Sequence, residues 1–310
     1  MRQLAAADLD ELRELCSRGD FFWLDLNDPP AEELSDVADV LALHELALED
    51  TQDFGQRPKL DTYGEQLLIV YFGASTDESD APCPVEVHVH IARTFVLTVH
   101  RTPCQQFDVL REAMKKRPPE NEGILIYRVI DALTDSILDV LQAAAEVIDG
   151  YEQRVFRRPQ ASDRDKMAML RRHLNRLRRI LVIQRQVFDG AAERIAEIPS
   201  SGGDIGPYLS DVSDHLWRAL DEVDAAREIL QGMLETYTNE VQERLTIVAT
   251  IFLPLTMATG FFGMNFNWLI THIGSVWTFW LVGVGGLLTS LLLILLWLRH
   301  SGLLNRSPRE

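Results

Sequence analysis

Polar and apolar residues alternate strongly along residues 85–100, with one interruption near the middle. A period of two is typical of a strand with one buried face, so this segment predicts two strands joined by a short turn. Two more strands are predicted at 21–26 and 65–74, and one or two amphipathic helices are predicted at 30–50. We therefore expect an α+β domain over residues 1–122, which ends just after the helix-breaking pair Pro118-Pro119.

The middle of the chain has the spacing of helices. Apolar residues recur at alternating intervals of four and three, which gives each segment a coiled-coil-like seam. The first seam consists of Leu133, Ile137, Val140, Ala144, Val147 and Tyr151. We predict a helical hairpin over 123–206 and one long stalk helix over 207–262, because no convincing breaker occurs before Gly260.

Two uncharged apolar runs lie near the C-terminus, at 245–262 and 276–298. Each is long enough to cross a hydrocarbon core of about 30 Å. The stalk helix would then continue into the first membrane span. We expect an external loop over 263–275 and a cytoplasmic tail over 299–310.

The charges that flank these runs predict an orientation. Arg299, Arg306 and Arg309 follow the second run, whereas the loop between the runs has no Asp, Glu, Lys or Arg from 265 to 275. Positive charge stays on the cytoplasmic side of a membrane. We therefore expect a multi-pass protein of the inner (plasma) membrane with both termini in the cytoplasm, and the N-terminus does not resemble a signal peptide.

One side of the first run is polar or small. On a helical wheel, seven residues fall within an arc of about 100°. They are Asn239, Gln242, Thr246, Ala249, Leu253, Thr256 and Gly260. Small residues and threonine commonly mediate helix packing in lipid, so this stripe is compatible with packing and with the lining of a pore.

Composition excludes several functions. The chain has 47 acidic and 30 basic residues, a net charge of −17, which argues against nucleic acid as a partner. Its three cysteines contain no Cys-x-x-Cys pair, so a disulfide framework or a four-cysteine zinc site is not expected. The sequence contains no phosphate-binding loop and no nucleophile–base constellation, so we predict no enzyme activity and no organic cofactor.

The stretch 246–266, which ends the first run and includes Gly263-Met264-Asn265, resembles the CorA family of divalent-cation transporters. The stretch 46–71 resembles the cytoplasmic domain of that family. The resemblance implies a funnel-shaped homopentameric channel whose first span lines the pore and whose second span surrounds it. It also implies that Gly263, Met264 and Asn265 form a selectivity ring for hydrated Mg²⁺.

The resemblance assigns further roles. Leu245 joins the stripe as a pore-lining residue, and Leu245 and Leu253 would be hydrophobic constrictions. In the family, Mg²⁺ between cytoplasmic domains holds the channel closed, and the segment 207–215 resembles the region involved. Asp211 and Asp214 are therefore candidate regulatory ligands, although acids near a helix start also favour its dipole.

Other interpretations stay open. Glu86, His88 and His90 share one strand face and could supply half of a zinc site, so a zinc or other transition-metal transporter of the same family is the alternative function. The basic segment 171–180 is compatible with phosphate binding or with a solvated face. A membrane-anchored scaffold that transports nothing is a further alternative. The partners expected are other copies of the chain, the lipid bilayer and divalent cations such as Mg²⁺, Co²⁺ and Ni²⁺.

Overall fold

The computed structural model of this protein describes residues 2–4, 8–77, 81–157, 161–198, 204–264, 267 and 275–300. Asn265, most of the predicted external loop and the tail beyond His300 lie outside this set. The chain divides into two compact units, which are Met1–Tyr151 with Asp165–Gln231 and Glu152–Arg164 with Gly232–Glu310.

The described residues of the first unit include six strands. They are β1 (Arg2–Leu4), β2 (Phe22–Asn27), β3 (Lys59–Tyr63), β4 (Gln66–Thr76), β5 (Pro82–Ile91) and β6 (Phe95–His100). They form one sheet in the order β1-β2-β6-β5-β4-β3. The pairs β1/β2 and β2/β6 are parallel, and the remaining pairs are antiparallel. The predicted hairpin over 85–100 is confirmed as β5 and β6.

Helices α1–α7 lie within the described part of residues 8–264. They are α1 (Leu9–Arg18), α2 (Ala31–Leu41), α3 (Glu45–Gln52), α4 (Gln105–Lys116), α5 (Glu122–Arg157), α6 (Ala161–Glu197) and α7 (Gly206–Phe262). The predicted long helices correspond to α5, α6 and α7. Pro254 lies inside α7 without ending it.

The sheet is covered by helices on both faces. Side chains of β2 and β6 such as Leu24 and Leu97 pack with α1 and α2, and His90 contacts Thr51 of α3 on the same face. The alternate side chains face the other way, where Trp23 packs on Phe107 of α4. Helices α5 and α6 cover β4 on this second face. Helices α1–α3 and α4–α6 therefore form the two outer layers.

Two helices close an edge that β3 leaves open. β3 pairs with β4 only as far as Val70, so the later residues of β4 have no strand on that side. Gln184 of α6 donates to the Phe72 carbonyl at 2.9 Å and accepts from the Phe72 N–H at 2.7 Å. Ser136 Oγ of α5 accepts from the Ala74 N–H at 2.9 Å. Side chains thus take the place of a neighbouring strand.

The second unit contains the apolar helices. The second apolar run folds as α8 (Val276–Thr278), a π-helical segment (Phe279–Val284) and α9 (Gly285–His300). Both this run and the end of α7 are long and apolar enough to cross a membrane, and the apolar windows of the two helices are unburied. The π-helical segment was not predicted, because its residues are as apolar as the α-helical turns around them.

Candidate functional site

The predicted pore stripe lies on the exposed side of α7. All eight positions assigned to it, from Asn239 to Gly260, are exposed, and Leu245 and Leu253 are 64% and 76% exposed. The half-buried residues of this part of α7 lie on another side of the helix, centred about 120–140° around the axis from the stripe. They include Glu243, Ile247, Thr250, Pro254 and Ala258.

The second apolar helix packs on this half-buried side of α7. Pro254 lines a shallow groove together with Gly285, Gly286 and Thr289. Among the described residues, the stripe therefore does not face the second apolar helix. This arrangement leaves the stripe free to face an axis formed by several copies.

The threonines of the stripe present oxygen acceptors. Thr246 donates its hydroxyl proton to the Gln242 carbonyl at 2.9 Å, and Thr256 donates to the Phe252 carbonyl at 2.7 Å. A hydroxyl has one proton and two acceptor positions. With the proton used inside the helix, the exposed oxygen can accept from the water shell of a cation.

The helix ends beside the candidate selectivity motif. The Gly263 N–H donates to the Thr259 carbonyl at 2.9 Å, and the Met264 N–H donates to the Phe261 carbonyl at 3.3 Å. The second bond spans three residues instead of four, so the helix tightens as it ends. A Cβ on Gly263 would lie 3.2 Å from the Thr259 carbonyl oxygen, which favours glycine there. Met264 is 45% exposed, and the position of Asn265 stays a prediction.

A cluster of acids and one histidine lies between α5 and α7. The ligand atoms of Asp131, Asp135 and His215 lie within 4.8 Å of one another, close enough to contact one common metal ion. His215 Nδ1 is 3.5 Å from an oxygen of each aspartate. That geometry makes no hydrogen bond, and the buried atoms His215 Nδ1 and Asp131 Oδ1 have no hydrogen-bond partner.

Helix periodicity places these side chains together. Asp131 and Asp135 are four residues apart on α5, and Asp211 and His215 are four residues apart on α7, so each pair shares a helix face. Asp211 Oδ1 lies 3.8 Å from His215 Nε2, and Asp211 Oδ2 accepts from the Tyr127 hydroxyl at 3.2 Å. Asp211 thus borders the cluster.

The surroundings of the cluster raise the pKa of two of its carboxyl groups. Burial raises the pKa of Asp131 to about 6, and the negative charge of Asp135 raises it further. The interaction with the Tyr127 hydroxyl lowers this pKa and offsets part of the rise. Burial also raises the pKa of Asp135, which His215 partly opposes. Neighbouring acids that repel each other are stabilised by a cation, so the half-buried Asp131 and the exposed Asp135 and Asp211 fit a divalent metal ion.

The sequence reasoning found one side of this cluster. It proposed Asp211 but missed Asp131, Asp135 and His215. The repeated four-residue spacing of acid with acid and acid with histidine was an available signal. Asp214 is exposed and does not belong to the group of ligand atoms, so its predicted role stays untested.

The predicted zinc half-site has other contacts. Glu86 accepts from the backbone N–H groups of Gly55 and Gln56 and contacts His88 Nε2 at 2.9 Å. His90 Nε2 lies 2.8 Å from Thr51 Oγ1, and burial lowers the pKa of His90 to about 3. These three side chains anchor α3 and the loop after it.

The chain is similar to known metal-ion transporters. Residues 18–300 match the family model of the CorA-like Mg²⁺ transporter protein. The chain is 31% identical over 249 residues to the "Cobalt/magnesium transport protein CorA" of Thermotoga maritima, across 75% of this chain and 69% of that protein. It is 26% identical over 290 residues to the "Zinc transport protein ZntB" of Yersinia enterocolitica, across 90% and 86%.

The fold also matches a solved structure. The complete CorA magnesium transporter of Methanocaldococcus jannaschii superposes with a TM-score of 0.68 at 21% identity and covers 91% of both chains. The expected α+β domain, long helix and two apolar C-terminal helices are thereby confirmed. The family model and the similarity to the Thermotoga maritima protein show that this chain belongs to the CorA family of divalent-cation transporters, which are membrane proteins.

Proposed function

We propose that this protein is a homopentameric channel for the passive uptake of hydrated Mg²⁺ across the inner (plasma) membrane, with both termini in the cytoplasm. The observation that carries the proposal is the stripe on α7, which is neutral, oxygen-bearing and turned away from the second apolar helix. Copies arranged around an axis would bring five such stripes together. The second helix of each copy would then lie outside the pore.

The chemistry of the stripe suits a hydrated ion. Mg²⁺ gives up its water reluctantly and prefers oxygen ligands. Amide and hydroxyl oxygens can bind its water shell, and a wall without carboxylates lets the ion leave. Asn265 would add a neutral amide oxygen at the external mouth. Leu245 and Leu253 would form hydrophobic constrictions of the pore, where apolar side chains exclude water.

The membrane potential supplies the driving force. A divalent cation that moves to a negative interior gains about 4.6 kcal/mol per 100 mV, twice the value for a single charge. The relative from Thermotoga maritima is named for cobalt and magnesium transport, which supports the same class of cargo.

Regulation would use the cluster between α5 and α7. Asp131, Asp135 and Asp211 would hold the ion through carboxylate oxygens, directly or through its waters. The orphaned buried atoms of Asp131 and His215 and the raised pKa of Asp131 support a cation at this position. In this proposal, intracellular Mg²⁺ at the cluster favours the closed channel.

A zinc transporter is the second candidate. It is favoured by the similarity to ZntB, which extends over 90% of this chain. Zn²⁺ prefers imidazole and thiolate ligands, and the stripe on α7 offers neither. We therefore expect the channel to carry Mg²⁺, and Co²⁺ and Ni²⁺ as related ions.

Ion flux into proteoliposomes tests this function. The purified protein should carry Mg²⁺ down an inside-negative potential, and Zn²⁺, Co²⁺ and Ni²⁺ assayed in parallel would identify the cargo. We expect Asn265→Ala to lose selectivity for Mg²⁺, whereas Asn267→Ala, a neutral amide two residues farther on, should retain it. Absence of Mg²⁺ flux in the wild type would refute the channel. Unchanged selectivity in Asn265→Ala would remove the motif from the filter.

A further inference from the structure

The exposed side of α6 carries a row of three arginines. Arg172, Arg176 and Arg179 occupy positions i, i+4 and i+7 of the helix, and all three are exposed. In the part of the chain that the structure describes, none of the three has an acidic partner. Arg178, by contrast, turns toward α7 and binds Asp224 at 2.6 Å. The arginine row therefore presents uncompensated positive charge on a chain of net charge −17.

A row of carboxylates with the same spacing lies on α2. Glu32, Asp36 and Asp39 occupy positions i, i+4 and i+7 and are exposed, and they too lack a basic partner among the described residues. Asp36 and Asp39 also line a groove between α1 and α2. In both rows the second and third charges lie about 6 Å and about 10 Å along the helix from the first. Three ion pairs can thus form at once.

The two rows cannot meet within one copy. Helix α2 packs on one face of the sheet through its buried side, whereas α6 packs on the other face through residues such as Phe188. The sheet separates the two helices, and each row lies on the outer side of its helix. The complementary surfaces therefore point to opposite sides of the molecule.

We propose that the acidic row of one copy binds the arginine row of a second copy, an inference that rests on the homo-oligomer of the proposed function. Because one copy uses its α2 and the other its α6, the contact is heterologous, and repeating it closes a ring when the rotation is right. Copies inserted into one membrane in one orientation are related by rotation about the membrane normal, which is the symmetry that a closed ring needs. Asp36 faces Arg176 whether the two helices run parallel or antiparallel.

Disulfide cross-linking tests the contact directly. A chain with Asp36→Cys and Arg176→Cys, in a background without the three native cysteines, is reconstituted in liposomes and oxidised. We expect covalent dimers and larger multimers. The control replaces Arg176→Cys with Lys116→Cys, which is exposed on α4 on the same face of the sheet as α6. Equal cross-linking of the two chains would overturn the proposal.

Charge reversal gives an independent measurement. Replacement of the arginine row by glutamates should lower the association of the full-length protein in detergent about tenfold or more, since like charges then face each other. Replacement of the acidic row by lysines should do the same, and the two sets combined should restore association. Reversal of Arg93, Lys116 and Arg117 changes the net charge equally and should have little effect. Failure of the combined variant to recover would contradict the pairing.

The outcome for this contact is separable from that for the channel. If the wild type carries Mg²⁺ but the cysteine pair does not cross-link, the channel stands and the contact is wrong. If the pair cross-links but no divalent cation crosses the membrane, the contact stands and the channel is wrong.

Discussion

Asp131 shows how one side chain reports on its site. It is 19% exposed, faces Asp135 and Asp211, and has a buried oxygen without a hydrogen-bond partner. Its pKa rises from 3.8 to about 6. Between these values the folded protein binds more protons than the unfolded chain, so the stability that Asp131 contributes falls as pH rises from about 4 to about 6.

Replacement of Asp131 by asparagine should therefore stabilise the protein at pH 7 without divalent cations. We expect a gain of about 1–2 kcal/mol, because two pKa units correspond to about 2.7 kcal/mol and the partial exposure of Asp131 reduces this. The gain should almost disappear near pH 3, where the native acid is protonated in both states. Thermal unfolding at the two pH values measures the effect, with Asp139→Asn, an exposed acid on the same helix, as the control. A gain of equal size at both pH values would contradict the assigned cause.

Sequence reasoning at this scale found residues by local spacing. The alternating Glu86, His88 and His90 were visible because spacing within one strand shows which side chains share a face, whereas Asp211 was proposed from the family resemblance of segment 207–215. The partners of Asp211 were not, since Tyr127 lies 84 residues away along the chain. Nothing in a single sequence brings α5 and α7 together at a particular register.

Gln184 explains an irregularity in an element. It occupies a seam position of α6 that otherwise carries leucines and Phe188, and it is fully buried. A buried amide needs partners, and here both of its groups bond to the backbone of Phe72. Gln184 thus satisfies backbone groups of β4 that β3 does not reach, because the pairing of the two strands stops at Lys59 and Val70.

Gln184→Ala should destabilise the protein by roughly 2–4 kcal/mol, because the N–H and the carbonyl of Phe72 both lose their partner. Urea unfolding of the purified protein measures the difference. Gln186→Ala, an exposed glutamine on the same helix, should change stability by less than about 0.5 kcal/mol. A loss in Gln184→Ala no greater than that of Gln186→Ala would show that water replaces the amide.

Elements with a strong period were predicted, and weakly patterned ones were not. The three long helices and the β5/β6 hairpin had clear seams or alternation. β1 has three residues and β3 is mostly polar, so neither gave a signal. Their strand conformation comes from pairing with β2 and β4, which is a tertiary effect.

At the scale of the whole molecule, the sheet order depended on distant pairing. The local hairpin predicts that β5 and β6 are neighbours, but β2 pairs in parallel with β6 across more than sixty residues. This pairing brings α1–α3 to one face and α4–α6 to the other. The positions of both charged rows follow from it.

Regulation is also a property of the whole molecule. We expect Asp211→Ala to raise the intracellular Mg²⁺ concentration that halves channel flux about tenfold, a coupling within the usual range for linked sites. Flux from proteoliposomes at graded internal Mg²⁺ measures this. Asp214→Ala, an exposed neighbour outside the cluster, should leave the response unchanged. A shift in Asp214→Ala with none in Asp211→Ala would reverse the assignment.

The covered edge of β4 has a consequence for synthesis of the chain. Ser136 and Gln184 follow their β4 partners by 62 and 112 residues. At about 5–20 residues per second, the strand waits roughly 6–22 s after it is made before Gln184 exists. During that interval its free edge can pair with a strand of another nascent chain. We therefore expect truncation of the chain before α6 to yield aggregates and not a soluble fragment.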